Sequence, residues 1–197
     1  TPAEVVQTLS EEELTNILPE FDGWIIGDDP ATNNVLAAAK KGKLRAAIKW
    51  GIGIDNVDTK ACASLGIRFD NTPDMLGKEV ADLAVSYVVG LARETFQIDR
   101  AVRQGHWIKP CGIALEGSTA AVIGYGNIGQ NTVKRLLAAD MRVIVYDPMH
   151  KENKPNQSYK TATWPDQIEE ADFIIINCSL TDSSYHLLNG STFAKMK

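Results

Sequence analysis

The sequence predicts an α/β protein whose strands form largely parallel sheets. Short apolar runs alternate with helical patterns along most of the 197 residues, and this alternation is typical of parallel sheets. Residues that cap or end helices separate the segments at the expected positions. The pattern changes between Pro73 and Gly77, where one long amphipathic helix begins. We therefore expect two domains, residues 1–73 and 74–197.

The first domain contains three predicted strands and two predicted helices. The strands are short apolar runs at residues 23–27, 45–50 and 67–70. Each helix has a residue type that caps its beginning and a glycine at its end. These pairs of residues are Thr32 with Gly42, and Asp58 with Gly66.

The second domain begins with a long helix, predicted over residues 78–93. Its apolar residues recur at the helical spacing and predict one wide apolar face. They are Val80, Leu83, Ala84, Tyr87, Val88 and Leu91. Residues 104–117 are rich in glycine and are predicted to form a loop. The remaining predicted elements are strand 120–123, helix 128–139, strand 142–146, a short helix at 165–170 and strand 173–177.

The composition indicates an ordinary globular protein and excludes several classes of partner. Hydrophobic residues make up 44% of the chain and charged residues 23%, enough for a sizeable core. The net charge of −5 disfavours nucleic acid and anionic membranes, since both attract clusters of Lys and Arg. No apolar run approaches the roughly 18 residues of a membrane span. Cys62, Cys111 and Cys178 have the spacing of neither a disulfide framework nor a zinc site, so we expect reduced thiols and no metal.

A glycine-rich turn after strand 120–123 carries the main functional signal. Its residues are Gly124, Tyr125, Gly126, Asn127, Ile128 and Gly129, which fit G-x-G-x-x-G. An apolar strand before the turn and a helix after it give this otherwise weak pattern its specificity. The first glycine permits the tight turn, the second lets a pyrophosphate approach the backbone, and the third lets the helix pack on the strand. The amides of Asn127 and Ile128 would hold the phosphates.

An acidic residue predicts which dinucleotide binds. Asp147 ends the next strand, about 20 residues after the glycines, as the dinucleotide pattern requires. Its carboxylate would accept hydrogen bonds from the adenosine ribose and would repel a 2′-phosphate, so NAD is favoured over NADP. Lys151 follows closely in the sequence and, as a cation, would weaken this preference.

Four segments together resemble the D-isomer-specific 2-hydroxyacid dehydrogenases, a family that includes phosphoglycerate dehydrogenase and the glyoxylate and hydroxypyruvate reductases. Residues 51–58 (GIGIDNVD) resemble its G-x-G-x-D-N-V-D signature, and residues 66–73 (GIRFDNTP) resemble its G-I-x-V-x-N-T-P strand. Residues 80–93 are similar to its long helix, with Asp82 where Glu is usual. Residues 115–129 are similar to the segment that leads into the glycine turn. The likeness runs in order along nearly the whole chain.

The resemblance implies a fold and a substrate loop. It implies a flavodoxin-like substrate domain followed by a Rossmann-type NAD-binding domain. Both domains would be incomplete, in a chain truncated at both ends. The site would lie in the cleft between them. The backbone amides of Gly51, Ile52 and Gly53 would face the substrate carboxylate, with Ile52 also near the nicotinamide. Successive amides of a glycine turn can form such an anion-binding concavity. A plain strand-to-helix turn is the alternative for this loop.

The resemblance also implies the wall of the adenosine pocket. Cys178, Ser179 and Leu180 occupy the place of that wall. The family often has Pro or Thr there, so Cys178 and Ser179 depart from its pattern.

The resemblance places the catalytic residues of the family outside this chain. In the family, a hydride passes between C2 of the hydroxyacid and the nicotinamide. An Arg holds the substrate, and a His oriented by a Glu transfers the proton. We expect all three beyond Lys197. Of the histidines present, His106 is interpreted as a loop residue with a surface or interdomain packing role, His150 as solvated and His186 as a variable position. Lys49 is interpreted as an exposed residue at a strand end, with a role near an anionic substrate as the alternative.

The function implied by the resemblance is hydride transfer between NAD and a small D-2-hydroxyacid or 2-keto acid. Two alternatives stay open: a non-catalytic, corepressor-like regulator that binds NAD, and a formate or phosphonate dehydrogenase on the same fold. Residues 94–117, with Trp107 and Ile108 in a loop arm, predict a surface for a second subunit. We therefore expect a cytoplasmic homodimer that binds neither nucleic acid nor membrane.

Overall fold

The chain divides into two compact units, Thr1–Leu76 and Gly77–Lys197. A computed structural model describes residues 8–150 and 157–197. Each unit contains one parallel sheet with helices, so the predicted α/β class is confirmed. The structure divides the chain after Leu76, whereas the sequence predicted a division after residue 73.

The first unit contains a three-stranded parallel sheet. Its strands are β1 (Gly23–Ile26), β2 (Ala46–Lys49) and β3 (Arg68–Asn71), and its helices are α1 (Glu11–Ile17), α2 (Asn33–Lys41) and α3 (Thr59–Leu65). The strand order is β1-β2-β3, so β2 lies in the middle. The predicted caps are confirmed, since Thr32 accepts a hydrogen bond from an amide of α2 and Asp58 from an amide of α3. Gly66 ends α3 with φ +64°, the left-handed conformation that glycine adopts most easily.

The sequence analysis missed helix α1. The Ser10 side chain accepts a hydrogen bond from the Glu13 amide, and the Glu13 carboxylate accepts one from the Ser10 amide at 2.8 Å. This reciprocal pair is a capping box, for which the S-x-x-E pattern was the available signal. Leu14 is the only residue of α1 that is buried, so the helix has no wide apolar face that its periodicity could have revealed.

The second unit contains a four-stranded parallel sheet. Its strands are β4 (Thr119–Ile123), β5 (Arg142–Tyr146), β6 (Lys160–Thr161) and β7 (Phe173–Ile176), and its helices are α4 (Gly77–Ala92), α5 (Thr95–Arg103), α6 (Asn127–Ala138) and α7 (Gly190–Phe193). The strand order is β6-β5-β4-β7, and every residue of β4 is buried. The predicted short helix at 165–170 is a single 3-10 turn over Ile168–Glu170. No helix in the described part of the chain is long and apolar enough to cross a membrane.

The long helix α4 is confirmed, but most of its predicted apolar face is exposed. Of the predicted stripe only Val88 is buried, whereas Leu83, Tyr87 and Leu91 are more than half exposed. Small residues are buried instead: Gly77, Ala81, Gly90 and Ala92. Small side chains allow close approach of two helices, and α4 packs mainly against α6.

The predicted loop over residues 104–117 is confirmed, but the sequence analysis missed helix α5, which directly precedes it. Its apolar residues Ile98, Ala101 and Val102 recur at the helical spacing, which was the available signal. None of them is buried. Residues 106–114 have no helix or strand, and the Trp107 side chain is 79% exposed.

Candidate functional site

The glycine turn of the second unit lies where three parallel strands end. Gly124 follows β4, and its amide donates a hydrogen bond to the Tyr146 carbonyl at the end of β5. The amide of Asn177, just after β7, donates to the Ile123 carbonyl. Open α/β sheets bind ligands at this carboxyl edge.

Two glycines of the turn are required by contact with the backbone. Gly124 has φ +93°, and a Cβ atom there would lie 2.6 Å from the Cys178 nitrogen. A Cβ atom on Gly129 would lie 2.0 Å from the Gly124 oxygen. These distances are far inside ordinary contact, so only glycine allows the strand, the turn and α6 to pack in this way.

The middle glycine borders open space. A Cβ atom on Gly126 would meet no atom within 4 Å, so the glycine leaves room for a group from outside. Gly126 begins α6 without any side chain that caps the helix. The first amides of a helix have no partner within it, so those of Asn127 and Ile128 are available to an anion. The buried Oδ1 atom of Asn127 has no hydrogen-bond partner.

Asp147 is held against the glycine turn by two backbone amides. Its Oδ2 accepts a hydrogen bond from the Tyr125 amide at 2.7 Å, and its Oδ1 accepts one from the Met149 amide at 2.8 Å. Each carboxylate oxygen can accept a further bond. The carboxylate is therefore fixed in place and still able to receive hydroxyl donors.

Aromatic rings pack beside Asp147 in an arrangement that the sequence did not reveal. The ring of Tyr125 lies 4.6 Å from that of His150 and 5.1 Å from that of Tyr159. The His150 Nε2 and Tyr159 hydroxyl are 3.0 Å apart, so the prediction of a solvated His150 is wrong. Burial and the neighbouring Tyr159 hydroxyl raise the pKa of Tyr125. Tyr159 lies outside every motif. No spacing in the sequence predicts that its ring packs against Tyr125 and that its hydroxyl meets His150.

The predicted adenosine wall follows β7. Cys178 is partly buried against Gly124, whereas Ser179 and Leu180 are exposed. Burial raises the pKa of the Cys178 thiol, and the Asp147 carboxylate adds to the effect. The structure thus brings the predicted cofactor residues of β4, β5 and β7 to one edge of the sheet. Lys151 lies outside the described residues.

The predicted substrate loop lies at the corresponding edge of the first unit. Gly51 follows the middle strand β2, with φ +144°. Its amide donates to Thr72 Oγ1 at 2.8 Å, and the Asn71 side chain donates to the Ile52 carbonyl at 3.0 Å. Within the described chain, the amides of Ile52 and Gly53 make no hydrogen bond. The loop therefore offers two free donors, while the Gly51 amide is already used.

Lys49 is buried, so its interpretation as an exposed residue is wrong. The side chain is only 8% exposed, and its Nζ atom donates to the Gly27 carbonyl and lies 3.4 Å from Asp28 Oδ1. The hydrogen bond from the Lys49 ammonium group to the Gly27 carbonyl makes this burial possible, because a buried charge needs a polar partner.

The other histidines lie outside these clusters. His106 is exposed, and His186 stacks on Tyr185 with ring centroids 4.1 Å apart. Neither histidine lies beside the proposed cofactor or substrate residues, so we assign neither a role in proton transfer.

A glycine turn and an acidic residue at the ends of parallel strands define a dinucleotide-binding α/β protein. Residues 85–197 match the family model described as the D-isomer-specific 2-hydroxyacid dehydrogenase NAD-binding domain. The chain therefore belongs to the D-isomer-specific 2-hydroxyacid dehydrogenase family, and its second unit carries the family's NAD-binding domain.

Similar proteins cover nearly all of this chain. It is 35% identical to a hydroxypyruvate reductase of Thermotoga maritima, over 96% of this chain and 61% of the relative. It is 31% identical to a D-3-phosphoglycerate dehydrogenase of Archaeoglobus fulgidus, over 98% of this chain and 37% of the relative. The structure of Escherichia coli D-lactate dehydrogenase matches with a TM-score of 0.80 at 27% identity, over 96% of this chain and 61% of that one. The chain thus spans less than two thirds of the length of these relatives.

Proposed function

We propose that the protein is an NAD-dependent oxidoreductase that transfers a hydride between the cofactor and a small D-2-hydroxyacid or 2-keto acid. The first unit would be its substrate domain and the second its NAD-binding domain. The observation that carries the proposal is the fixed Asp147 carboxylate, held against the Gly124 turn by the Tyr125 amide at 2.7 Å. Family membership supports the reaction class.

The residues of the second unit suit NAD in three respects. Open space at Gly126 would admit the pyrophosphate, which the amides of Asn127 and Ile128 would bind. The Asp147 carboxylate would accept the ribose hydroxyls and disfavour a 2′-phosphate. The backbone and side chains of Cys178, Ser179 and Leu180 would form one wall around the adenosine. When bound, NAD accepts or supplies the hydride.

The first unit suits the carboxylate of a 2-keto acid. The free amides of Ile52 and Gly53 would bind its oxygens, because neighbouring backbone N–H groups form an anion-binding concavity. Thr72 and Asn71 keep the loop in this conformation through their hydrogen bonds. No residue in this chain is proposed as the acid or base.

A substrate panel tests the proposal. The native protein, purified from its source, is mixed with NADH and with glyoxylate, pyruvate or hydroxypyruvate, and the loss of NADH absorbance is followed. We expect steady oxidation with at least one of these acids and a much slower rate with NADPH. Tight NADH binding without turnover of any acid would favour the corepressor-like regulator. Oxidation of formate or phosphonate with NAD would favour the other alternative.

We also propose that the protein is a homodimer and works in the cytoplasm. Apolar side chains on α4, α5 and the following loop remain exposed, among them Leu91 at 64% and Trp107 at 79%. Large exposed apolar patches are typical of subunit interfaces. The three cysteines are free thiols, as expected in a reducing compartment. Sedimentation of the native protein tests the dimer, and a Trp107→Ser variant is expected to dissociate more readily than the wild type.

A further inference from the structure

A cavity in the first unit lies beside the proposed substrate loop. It has a volume of about 490 Å³, which is the size of a small-molecule site. Gly51 and Gly53 line it, so a group bound to the loop would extend into this space. The other lining residues are Asp28, Lys49, Trp50, Asp55 and Asn56.

The one ammonium group that lines the cavity is already engaged. Lys49 is almost fully buried, and its Nζ atom donates to the Gly27 carbonyl while Asp28 Oδ1 lies 3.4 Å away. Asn56 also donates to the Gly27 carbonyl, at 3.1 Å. The ammonium group is thus directed at the end of β1. The Asp28 carboxylate, whose side chain is 87% exposed, offsets part of its charge.

The side chains around the cavity have a net negative charge. Asp28 and Asp55 contribute two negative charges against the single positive charge of Lys49, which gives −1. The substrate carboxylate would be bound by the backbone amides of the loop, so it needs no cationic side chain in the cavity. Among the described residues that line the cavity, a second anionic group on the substrate would instead face two carboxylates and one ammonium group that is already hydrogen-bonded.

We propose that Asp28 and Lys49 form a charge-selecting pair, so that the cavity accepts 2-keto acids with an uncharged substituent and rejects phosphorylated ones. This inference rests on the proposed function, since it assumes that the Gly51–Gly53 loop binds the substrate. It distinguishes between the activities named for the relatives, because hydroxypyruvate and 3-phosphohydroxypyruvate differ only by a phosphoryl group. Asp28 is then a specificity-determining residue, and Lys49 positions it.

The test compares the binding and turnover of these two acids. Calorimetric titration of the native protein, saturated with NAD, gives the ratio of the two dissociation constants without any need for turnover. We expect the wild type to bind hydroxypyruvate at least about tenfold more tightly than 3-phosphohydroxypyruvate. Asp28→Asn removes one repelling charge and leaves Lys49 without its neighbouring carboxylate, so it should shift the ratio toward the phosphorylated acid. We expect a shift of about threefold, because solvent screens the exposed Asp28 carboxylate.

The matched control is Asp22→Asn. Asp22 is an exposed partner of Arg45, at 3.9 Å, and it does not line the cavity, so this variant changes the net charge equally but should leave the ratio unchanged. Preference of the wild type for the phosphorylated acid, the same shift in both variants, or binding of neither acid would overturn the charge selection. Absence of hydride transfer from NADH to every acid of the substrate panel would overturn the proposed dehydrogenase, and the binding ratio would still decide the charge selection.

Discussion

The two units each place a glycine turn after an interior strand of a parallel sheet, but they stabilise it differently. In the second unit, Cβ atoms on Gly124 and Gly129 would lie 2.6 and 2.0 Å from backbone atoms. In the first unit, Cβ atoms on Gly51 and Gly53 would meet only side-chain atoms, at 3.7 and 3.2 Å. Side-chain hydrogen bonds hold that loop instead, above all the bond from the Gly51 amide to Thr72 Oγ1.

The difference shows that a glycine-rich turn after a strand can have two physical causes. The turn after β4 requires glycine because the strand and α6 approach too closely for any side chain. The loop after β2 requires glycine for the φ of +144° at Gly51 and for access to its amides. We therefore expect substitutions in the second unit to affect folding and cofactor binding together. In the first unit they should affect substrate binding more than folding.

The largest effect is expected from Gly129→Ala. The new methyl group would overlap the Gly124 oxygen, so α6 must move away from β4, and we expect a loss of about 3 kcal/mol in the free energy of unfolding. Thermal unfolding and NAD titration measure the two consequences, a lower Tm and loss of NAD binding.

Gly126→Ala is the matched control for this packing argument. Its methyl group would meet no protein atom within 4 Å, and its φ of −72° suits alanine. We expect an unchanged Tm with NAD binding weakened by about tenfold or more, because the methyl group occupies the space proposed for the pyrophosphate. Equal stability of the two variants would contradict the division of roles among the glycines.

Asp147→Ala is expected to give the next largest effect, mainly on the cofactor. A smaller loss of stability should accompany it, because the Tyr125 and Met149 amides lose their acceptor. Loss of a charged acceptor costs about 1.5–3 kcal/mol, so the Kd for NAD should rise roughly 10- to 150-fold, while binding of NADP should change much less. Fluorescence titration with both cofactors measures this selectivity. Glu116→Ala removes an exposed charge in the same unit and should leave both constants unchanged. An unaltered ratio of NAD to NADP affinity in Asp147→Ala would contradict the ribose contact.

Thr72→Val tests the side-chain support of the first unit. It removes the side-chain acceptor of the Gly51 amide while keeping the shape of the side chain, and the Lys49 carbonyl at 3.0 Å still accepts from that amide. We therefore expect the free energy of unfolding to fall by about 0.5–1 kcal/mol. The KM for a 2-keto acid should rise severalfold, and the Kd for NAD should not change. Thr72→Ser restores the hydroxyl and should restore the KM. A rise in KM that persists in Thr72→Ser would show that the methyl group, and not the hydrogen bond, supports the loop.

Local signals predicted most of the fold and the cofactor site. Helix caps such as Thr32 and Asp58 act within a few residues of chain, and the Gly124 turn is recognisable because strand, glycines and helix are consecutive. Burial depends on contacts between distant segments, and there the sequence was less informative. The spacing of apolar residues in α4 predicts a helix but not which of its faces is buried. The small residues Ala81 and Ala92 are buried there, whereas the larger apolar residues remain exposed. The burial of Lys49 depends on the Gly27 carbonyl at the end of β1, which no local pattern indicates.

The smallest expected effect is the loss at acidic pH of the stability that two carboxylates contribute, one in each unit. A hydrogen bond from the Lys197 ammonium group, and then one from the Thr119 amide, hold the pKa of Asp172 below its ordinary value. The Ser10 amide and hydroxyl lower the pKa of Glu13. Because both pKa values are lower in the folded state, the stabilisation is present above the pKa of the unfolded chain, near 4. It is lost as the pH falls through the folded-state values.

Urea unfolding of the wild type, Asp172→Asn and Glu13→Gln at pH 7 and pH 3 measures these contributions. We expect Asp172→Asn to lower the free energy of unfolding at pH 7 by up to about 1 kcal/mol and to make little difference at pH 3. Glu13→Gln should have a smaller effect in the same direction, since Glu13 accepts only from the neutral groups of Ser10, whereas Asp172 pairs with the Lys197 ammonium group at 2.7 Å. Substitution of the exposed Asp182 by Asn is the control. If Asp172→Asn destabilised the protein equally at both pH values, Asp172 would contribute through its neutral hydrogen bonds and not through the lowered pKa.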